Sequence, residues 1–238
     1  MTSSSILALA GVSKDYHGLR PLRVKELIVH SGERVAIVGL DHVMAEVFVN
    51  LATGAALPDV GDIQVFGRST STIVNGDEWL TIVDRFGLVS DRVVLLNSLS
   101  VLQNLAVPFT LEIDPPSDEA LVRAIALASE VGLPESDWTK PVAALPAPSS
   151  TRVRLGRALA LDPAIVLLEH PTVGVARIDA DTLGDTIKRI STKRRAAVLA
   201  FTADRTFASA IADRVLTLDP ATGRLTDRRR RWFSSERG

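Results

Sequence analysis

The stretch that decides the fold is RVRLGRALALDPAIVLLEHPT, residues 152–172. Its first half has the pattern of a helix over 151–161, which ends at an Asp-Pro turn because proline cannot continue a helix. Its second half is an unbroken apolar run over 164–168, typical of a strand that is covered on both faces of a parallel sheet. The stretch therefore predicts a helix, a turn and a buried parallel strand in direct succession.

The same two patterns alternate along most of the chain. Further short apolar runs predict strands over 6–9, 34–38, 62–65, 197–201 and 214–218. Helical patterns cover 44–52, 118–131 and 179–191. Ser117 is a good N-cap for the second of these helices. The alternation predicts an α/β architecture, and proline-containing stretches near 107–116 and 135–148 bracket a mainly helical insertion.

Composition limits the classes of protein to consider. The chain has 238 residues, of which 46% are hydrophobic, enough for one compact domain or one domain with an inserted subdomain. A formal net charge of −1 gives no field that would attract nucleic acid, so we expect no nucleic-acid partner. Cysteine is absent, which excludes disulfides and thiolate metal sites. We expect neither a transmembrane helix nor a signal peptide.

The segment VGLDHVMAEVF, residues 38–48, stands where a phosphate-binding loop would stand in such a fold. It follows the apolar run 34–38 and precedes a helical pattern. A working phosphate loop reads G-x-x-x-x-G-K-[ST], in which the lysine neutralises phosphate and the hydroxyl holds Mg²⁺. This segment keeps the first glycine and lacks the lysine and the hydroxyl, so its phosphate chemistry is missing.

The order of several segments carries a family resemblance. They are SGERVAIVG (31–39), NLATGAALPDVGDIQVFGR (50–68), VLLNSLSVLQNLAVPF (94–109), the stretch 152–172 and ADRVLTLD (212–219). The chain resembles the nucleotide-binding subunit of ATP-binding cassette (ABC) transporters over residues 5–226, most closely the lipoprotein- or lipid-exporter type. The resemblance implies an ABC-ATPase, P-loop NTPase-like core with a mainly parallel sheet, an N-terminal antiparallel β-subdomain and an inserted helical subdomain.

The resemblance also implies how the chain is divided. Residues 1–90 would form a core lobe that contains the β-subdomain and the altered phosphate loop. Residues 91–150 would form the helical subdomain, 151–226 would continue the core, and 227–238 would be a basic tail. The tail contains four arginines at 228–231, followed by Trp232 and Phe233. A solvated tail and a contact with anionic lipid or an acidic partner are both open alternatives.

Matched to the family pattern, the phosphate loop has lost three of its working residues. Gly39 opens the loop, but Met44 replaces the second glycine, Ala45 the lysine and Glu46 the hydroxyl residue. We expect Glu46 to lie in the first turn of the following helix and to interact with its partial positive charge. The site is a vestigial nucleotide site on this reading.

The other motif positions are altered as well. The family pattern ends a strand in Asp-Glu, and this chain has Glu169 and His170 there. Asp91 matches the glutamine that senses Mg²⁺, and Ala203 matches the switch histidine. The signature L-S-G-G-Q matches LPAPS, residues 145–149, whose prolines remove backbone donors, and the D-loop aspartate is Ala176.

We therefore expect no catalytic residue and no bound cofactor in this chain. Weak ATP binding through Tyr16, at the position of the adenine-stacking aromatic, and Gly39 is an open alternative to ordinary packing of the tyrosine. No metal site is expected. Two histidines and two carboxylates can bind Zn²⁺, but an interloop hydrogen-bond cluster in place of the nucleotide is the preferred interpretation. The four residues concerned are His42, Glu46, Glu169 and His170.

The resemblance implies a function in a membrane assembly. The first hypothesis is a noncatalytic, pseudo-ATPase ABC subunit with a structural or regulatory function, peripheral at the cytoplasmic face of the cell membrane. Its partners would be a transmembrane transporter subunit and an ABC subunit, in a homodimer or a heterodimer. The residues expected to line the docking groove are Asp91, Val94, Leu95, Leu99 and Gln103. The alternatives are an ATP-binding subunit whose hydrolysis is supplied by a partner ABC chain, and a soluble regulator with an ABC fold.

Overall fold

The computed structural model describes residues 4–227. Its strands pair into two β-sheets. The strands are β1 (Ser5–Lys14), β2 (Leu22–His30), β3 (Arg34–Val38), β4 (Val60–Val65), β5 (Arg68–Ser69), β6 (Phe86–Val89), β7 (Ile165–Glu169), β8 (Ala197–Phe201), β9 (Arg214–Asp219) and β10 (Arg224–Asp227). The smaller sheet is antiparallel, in the order β2-β1-β4-β5. The larger sheet has the order β10-β9-β3-β8-β7-β6 and is parallel except where β9 meets β10.

The helices connect the strands of the larger sheet and form an insertion. They are α1 (His42–Ala52), α2 (Gly76–Val83), α3 (Val101–Ala106), α4 (Asp118–Glu130), α5 (Ala147–Leu159), α6 (Arg177–Arg194) and α7 (Arg205–Ile211). Three of them, α3 to α5, lie in the chain between β6 and β7, which are neighbours in the sheet. The predicted α/β architecture, with an antiparallel β-subdomain and an inserted helical subdomain, is confirmed. The proposed domain bounds stay a prediction.

Helix starts follow from local capping chemistry. The side chain of Ser117 accepts a hydrogen bond from the Ala120 amide, so the predicted N-cap of α4 is confirmed. The predicted start of α5 at residue 151 was wrong, because the helix begins at Ala147. Pro148 is tolerated there, since the first turn of a helix leaves its amides without intrahelical acceptors.

Several elements escaped the sequence analysis, and their patterns explain why. Strand β2 alternates buried and exposed residues instead of forming an apolar run. Strand β6 is four residues long and contains Gly87, which weakens a strand pattern. The short elements β5, β10, α2, α3 and α7 were also missed. The arginine-rich tail of the sequence analysis lies outside the described residues.

Two hydrophobic cores hold the sheets and helices together. In the first, Phe48 of α1 packs on Phe201 of β8 with ring centroids 4.9 Å apart, and both side chains are fully buried. In the second, the other face of the larger sheet packs against the inserted helices through residues such as Leu105 and Leu159. Within residues 4–227, no helix combines the length and apolarity that crossing a membrane requires.

Candidate functional site

The candidate site lies at the carboxyl edge of the larger sheet. Because β3, β6, β7 and β8 are parallel, the segments that follow them meet at one edge. Gly39 follows β3 with φ of 101°, and a Cβ atom there would stand 3.3 Å from the carbonyl oxygen of Leu218. A glycine is therefore required by the backbone at this position, whether or not a phosphate binds.

The start of α1 is capped by the chain itself. The carboxylate of Asp41 accepts a hydrogen bond of 2.8 Å from the amide of Met44. The side chain of Met44 is 9% exposed, and Ala45, at the lysine position of the family pattern, is fully buried. The anion at this helix N-terminus is thus Asp41, which stabilises the partial positive charge of the helix.

The predicted location of Glu46 was wrong. Helix α1 begins at His42 and has no acidic residue in its first turn, so Glu46 is its fifth residue. Its side chain forms an ion pair with Arg92, at 3.3 Å between Oε1 and Nη1. The sequence analysis took the first turn to begin near residue 44 because it missed Asp41 as the N-cap.

Arg92 lies between two carboxylates from different elements. Its Nε donates to Oε2 of Glu169 at 3.1 Å, its Nη2 donates to Oε1 of the same carboxylate, and its Nη1 reaches Glu46. Ser90 also donates its hydroxyl to Glu169, whose side chain is 8% exposed. The hydrogen bond with Glu169 raises the pKa of Arg92, with burial acting in the opposite direction, so its positive charge is permanent.

His170 is buried beside His42. The two ring centroids are 4.2 Å apart, and the amide of His170 donates to the carbonyl of Phe201 at 2.8 Å. His170 has φ of 45°, which a side-chain-bearing residue rarely adopts, and its Nε2 is buried without a hydrogen-bond partner. Burial lowers the pKa of His170, and His42 lowers it further. A hydrogen bond with the backbone of Asp41 and the carboxylates of Glu169 and Asp41 oppose this shift.

We expect His170 to make the protein less stable in acid. Because its folded-state pKa lies below the unfolded value of 6.5, the unfolded chain binds the proton first. The stabilisation is therefore complete above pH 6.5 and is lost as the pH falls through the folded-state pKa. Melting curves between pH 7.5 and 5 should show a falling Tm in the wild type, by about 2–4 °C for each kcal/mol lost. The variant His170→Gln should show a smaller fall, and an equal fall in both proteins would contradict this assignment.

The residues considered as zinc ligands separate into two different contacts. Glu46 and Glu169 share Arg92, whereas the rings of His42 and His170 lie against each other with their planes tilted by 36°. The part of the chain that the structure describes contains no group of three or more potential ligands that could hold a metal ion. The acidic half of the site is thus a hydrogen-bonded cluster organised by Arg92, and the absence of a metal stays a prediction.

The remaining motif positions lie around this cluster. Asp91 is exposed and forms an ion pair of 3.3 Å with Arg154 of α5. Ala203 is exposed in the loop between β8 and α7. Tyr16 packs against the first core, and partial burial followed by the charge of Asp41 raises its pKa. Adenine stacking on Tyr16 stays a prediction.

The predicted docking residues differ in what they can offer a partner. Val94 is 73% exposed, whereas Leu95 is 7% exposed and belongs to the second core, so the Leu95 side chain offers little surface to a partner and the docking site stays a prediction. Leu99 is half-buried, and Gln103 closes a capping box with Ser100 at the start of α3.

The altered signature forms the beginning of α5. Pro146 is the N-cap and makes no side-chain capping hydrogen bond, and Pro148 occupies the first turn without an amide hydrogen. Ser149 donates its hydroxyl to Asp137 instead of pointing to an open surface. This helix N-terminus consequently offers fewer donors to an anion than an ordinary one.

Three residues of the site were missed by the sequence analysis: Asp41, Ser90 and Arg92. A signal for Asp41 was present, since an aspartate directly before an apolar helical pattern is an N-cap candidate. Nothing local singles out Ser90 or Arg92, because their partner Glu169 is 79 and 77 residues away in the chain.

Comparison with known proteins was made at the level of sequence and of fold. No protein-family model matches the chain. The lipoprotein-releasing system ATP-binding protein LolD of Pseudomonas syringae is 30% identical over 231 residues, covering 95% of this chain and 100% of the relative. LolD of Pseudomonas fluorescens is 31% identical over 222 residues, covering 92% and 96%. The methionine import ATP-binding protein MetN of Brucella abortus is 27% identical, and the match spans 58% of that protein.

Solved structures share the fold. The dimeric structure of a bacterial ABC transporter cassette has a TM-score of 0.77 and 22% identity, covering 93% of this chain and 98% of that one. The cbiO1 protein of Clostridium perfringens, part of the ABC transporter complex cbiONQ, has a TM-score of 0.80 and 20% identity, covering 98% and 92%. At these identities the structures show the fold alone. Together with the full-length sequence matches, they show that the chain belongs to the family of ATP-binding cassette subunits of ABC transporters.

Proposed function

We propose that this chain is a noncatalytic, pseudo-ATPase ABC subunit that acts as a structural or regulatory component of a membrane transporter assembly. The observation that supports the proposal is that the residues at the family's phosphate-loop and Mg²⁺ positions are held by contacts with the chain's own side chains. Asp41 caps the helix that would receive phosphate. Arg92 links Glu46 and Glu169, which stand at the family's two Mg²⁺-binding positions.

The charges of the site support exclusion of ATP. The carboxylates of Asp41, Glu46, Glu169 and Asp91 lie around the site with the guanidiniums of Arg92 and Arg154, which leaves two formal negative charges in excess. Opposed anions a few ångströms apart repel by about 4 kcal/mol at an effective dielectric constant of 20. The lysine that would offset this repulsion is replaced by the buried Ala45.

A groove beside the site supports docking of a membrane subunit. It has a cavity volume of about 220 Å³, with mainly apolar walls lined by Phe86, Gly87, Leu88, Val93, Pro108, Arg157, Ala158 and Leu161. Val94 is exposed next to it. A short amphipathic helix of a transmembrane subunit fits such a groove, because its apolar side can cover the walls while Arg157 contributes the charge. The chain would then lie at the cytoplasmic face of the membrane.

Association with a second ABC subunit is the other part of the proposal. Solved relatives with the same fold are dimeric cassettes. In the family each nucleotide site takes its phosphate loop from one chain and its signature from the other. Both contributions are altered here, so a dimer that contains this chain would serve assembly, whether its partner is a second copy or a different cassette.

A second candidate function is ATP binding without hydrolysis, with hydrolysis supplied by a partner ABC chain. Full-length relatives are named ATP-binding proteins. The retained backbone conformation of Gly39 and the position of Tyr16 near Asp41 favour this candidate. Binding would have to displace the Asp41 carboxylate from the Met44 amide.

Calorimetric titration with ATP, with and without Mg²⁺, separates these functions. We expect no heat of binding up to millimolar ATP and no rise in Tm. A ligand at 100 times its Kd would stabilise the protein by about 2.7 kcal/mol, which a melting curve detects readily. The matched variant is Tyr16→Ala. Micromolar binding that this variant abolishes would support the second candidate and contradict the first.

A further inference from the structure

The segment of residues 90–95, here named the bridging segment, has two different sides. Towards the candidate site, Ser90 and Arg92 hold the buried carboxylate of Glu169, and Arg92 also reaches Glu46. Its backbone is turned on itself, because the amides of Arg92 and Val93 donate to the hydroxyl and the carbonyl of Ser90, each at 3.1 Å. The site therefore determines where this segment lies.

The other side of the bridging segment forms part of the groove. Val93 lines the cavity together with Arg157 of α5. The guanidinium of Arg157 donates to the carbonyl of Val94 at 2.6 Å, which joins the segment to the wall formed by α5. Leu95 anchors the end of the segment in the second core. Any movement of the segment consequently changes the shape of the groove.

Arg92 connects these two sides electrostatically. Glu46 comes from α1 and Glu169 from the end of β7, so the two carboxylates would repel each other without a cation between them. Arg92 has two donor edges that reach the two carboxylates at once, which a lysine cannot reproduce with the same geometry. The neighbouring ion pair of Asp91 with Arg154 adds a tie to α5.

We propose that Arg92 is a positioning residue that acts as a built-in cation: by joining Glu46 to Glu169 it fixes the bridging segment, and so keeps the docking groove in one shape without a bound nucleotide. The proposal rests on the proposed function, because the groove is a docking site only there. On this proposal one side chain, that of Arg92, connects the candidate site to the groove. The connection requires no bound ligand.

A spin label on the bridging segment tests this proposal. The chain has no cysteine, so Val94→Cys provides a single labelling position on an exposed side chain. We expect Arg92→Gln to raise the mobility of the label. The backbone amides of the bridging segment should also exchange their hydrogens with solvent about 10-fold faster or more, because the segment loses its anchor to a charged partner. The label should be less mobile in Arg92→Lys than in Arg92→Gln, because lysine keeps the positive charge.

Matched variants separate positioning from general destabilisation. Arg177→Gln removes an exposed ion pair on α6 with Asp181 and should leave the label unchanged. Glu46→Gln, a mild change at an exposed carboxylate, should loosen the label to an intermediate degree even if Arg92→Gln fails to fold. A label that is equally immobile in the wild type, Arg92→Gln and Glu46→Gln would overturn the proposal.

The same label distinguishes failure of this inference from failure of the proposed function. Millimolar Mg-ATP should leave the label of the wild type unchanged. A response of the wild type to Mg-ATP would contradict the proposed function, whatever the Arg92 variants do. An unchanged label in those variants would contradict only the assignment of Arg92.

Discussion

Replacing Glu169 by alanine is expected to lower the free energy of unfolding by about 2–3 kcal/mol, because it removes the shared acceptor of a buried cluster. The side chain of Glu169 is 8% exposed and accepts from both Ser90 and Arg92. Without it, the buried hydroxyl of Ser90 keeps its desolvation cost and loses its acceptor, while the guanidinium of Arg92, which is 37% exposed, keeps only its contact with Glu46. Thermal unfolding should show a fall in Tm of about 4–12 °C, at about 2–4 °C for each kcal/mol in a chain of this size.

The matched control is Glu46→Ala, which removes the other carboxylate of the same cluster. Glu46 is 44% exposed and has one contact of 3.3 Å with Arg92, so screening by water should keep its cost below about 1 kcal/mol. In active sites, charged residues are often kept at the expense of stability. If Glu169→Ala proved neutral or stabilising, Glu169 would belong to that class and the structural interpretation of the cluster would fail.

The second large effect is expected at Gly87, in the middle of β6. A Cβ atom there would lie far inside van der Waals contact with the carbonyl oxygen of Ala158 and 3.1 Å from Cγ of Pro163. The first of these is backbone of helix α5, which cannot turn away as a side chain can. We expect Gly87→Ala to cost about 3 kcal/mol of unfolding free energy, measured by denaturant unfolding.

Gly76→Ala is the control for this substitution. Gly76 opens α2, and a Cβ atom added there would meet nothing within 4 Å. Alanine should leave stability within about 0.5 kcal/mol or raise it slightly, since it restricts the unfolded chain. Comparable stability of the two variants would mean that β6 and α5 pack less closely than the contacts indicate. Because Gly87 also lines the groove, its substitution should weaken partner docking as well.

The sequence by itself determined the fold class and which residues stand at the family's motif positions. Short apolar runs at 34–38 and 164–168, each too short for a typical helix, favoured buried strands, and the larger sheet contains both. The fixed spacing of the motif positions then identified Met44, Ala45 and Glu46 as replacements for the glycine, lysine and hydroxyl residue. Such inferences depend on neighbours in the chain. The structure confirmed the two strands, but it placed Glu46 at the fifth residue of α1 instead of in the first turn.

Only the tertiary structure decided how the altered site is filled. Arg92 meets Glu46 and Glu169 across 46 and 77 residues of chain, and no local pattern encodes contacts of that range. Burial was likewise decided by packing: Leu95 turned into the second core while Val94 stayed exposed. Side chains at the edge of a parallel sheet come from segments far apart in the chain. Their pairing depends on which strands are neighbours, and in this protein the sheet order places Arg92, which follows β6, beside Glu169 at the end of β7.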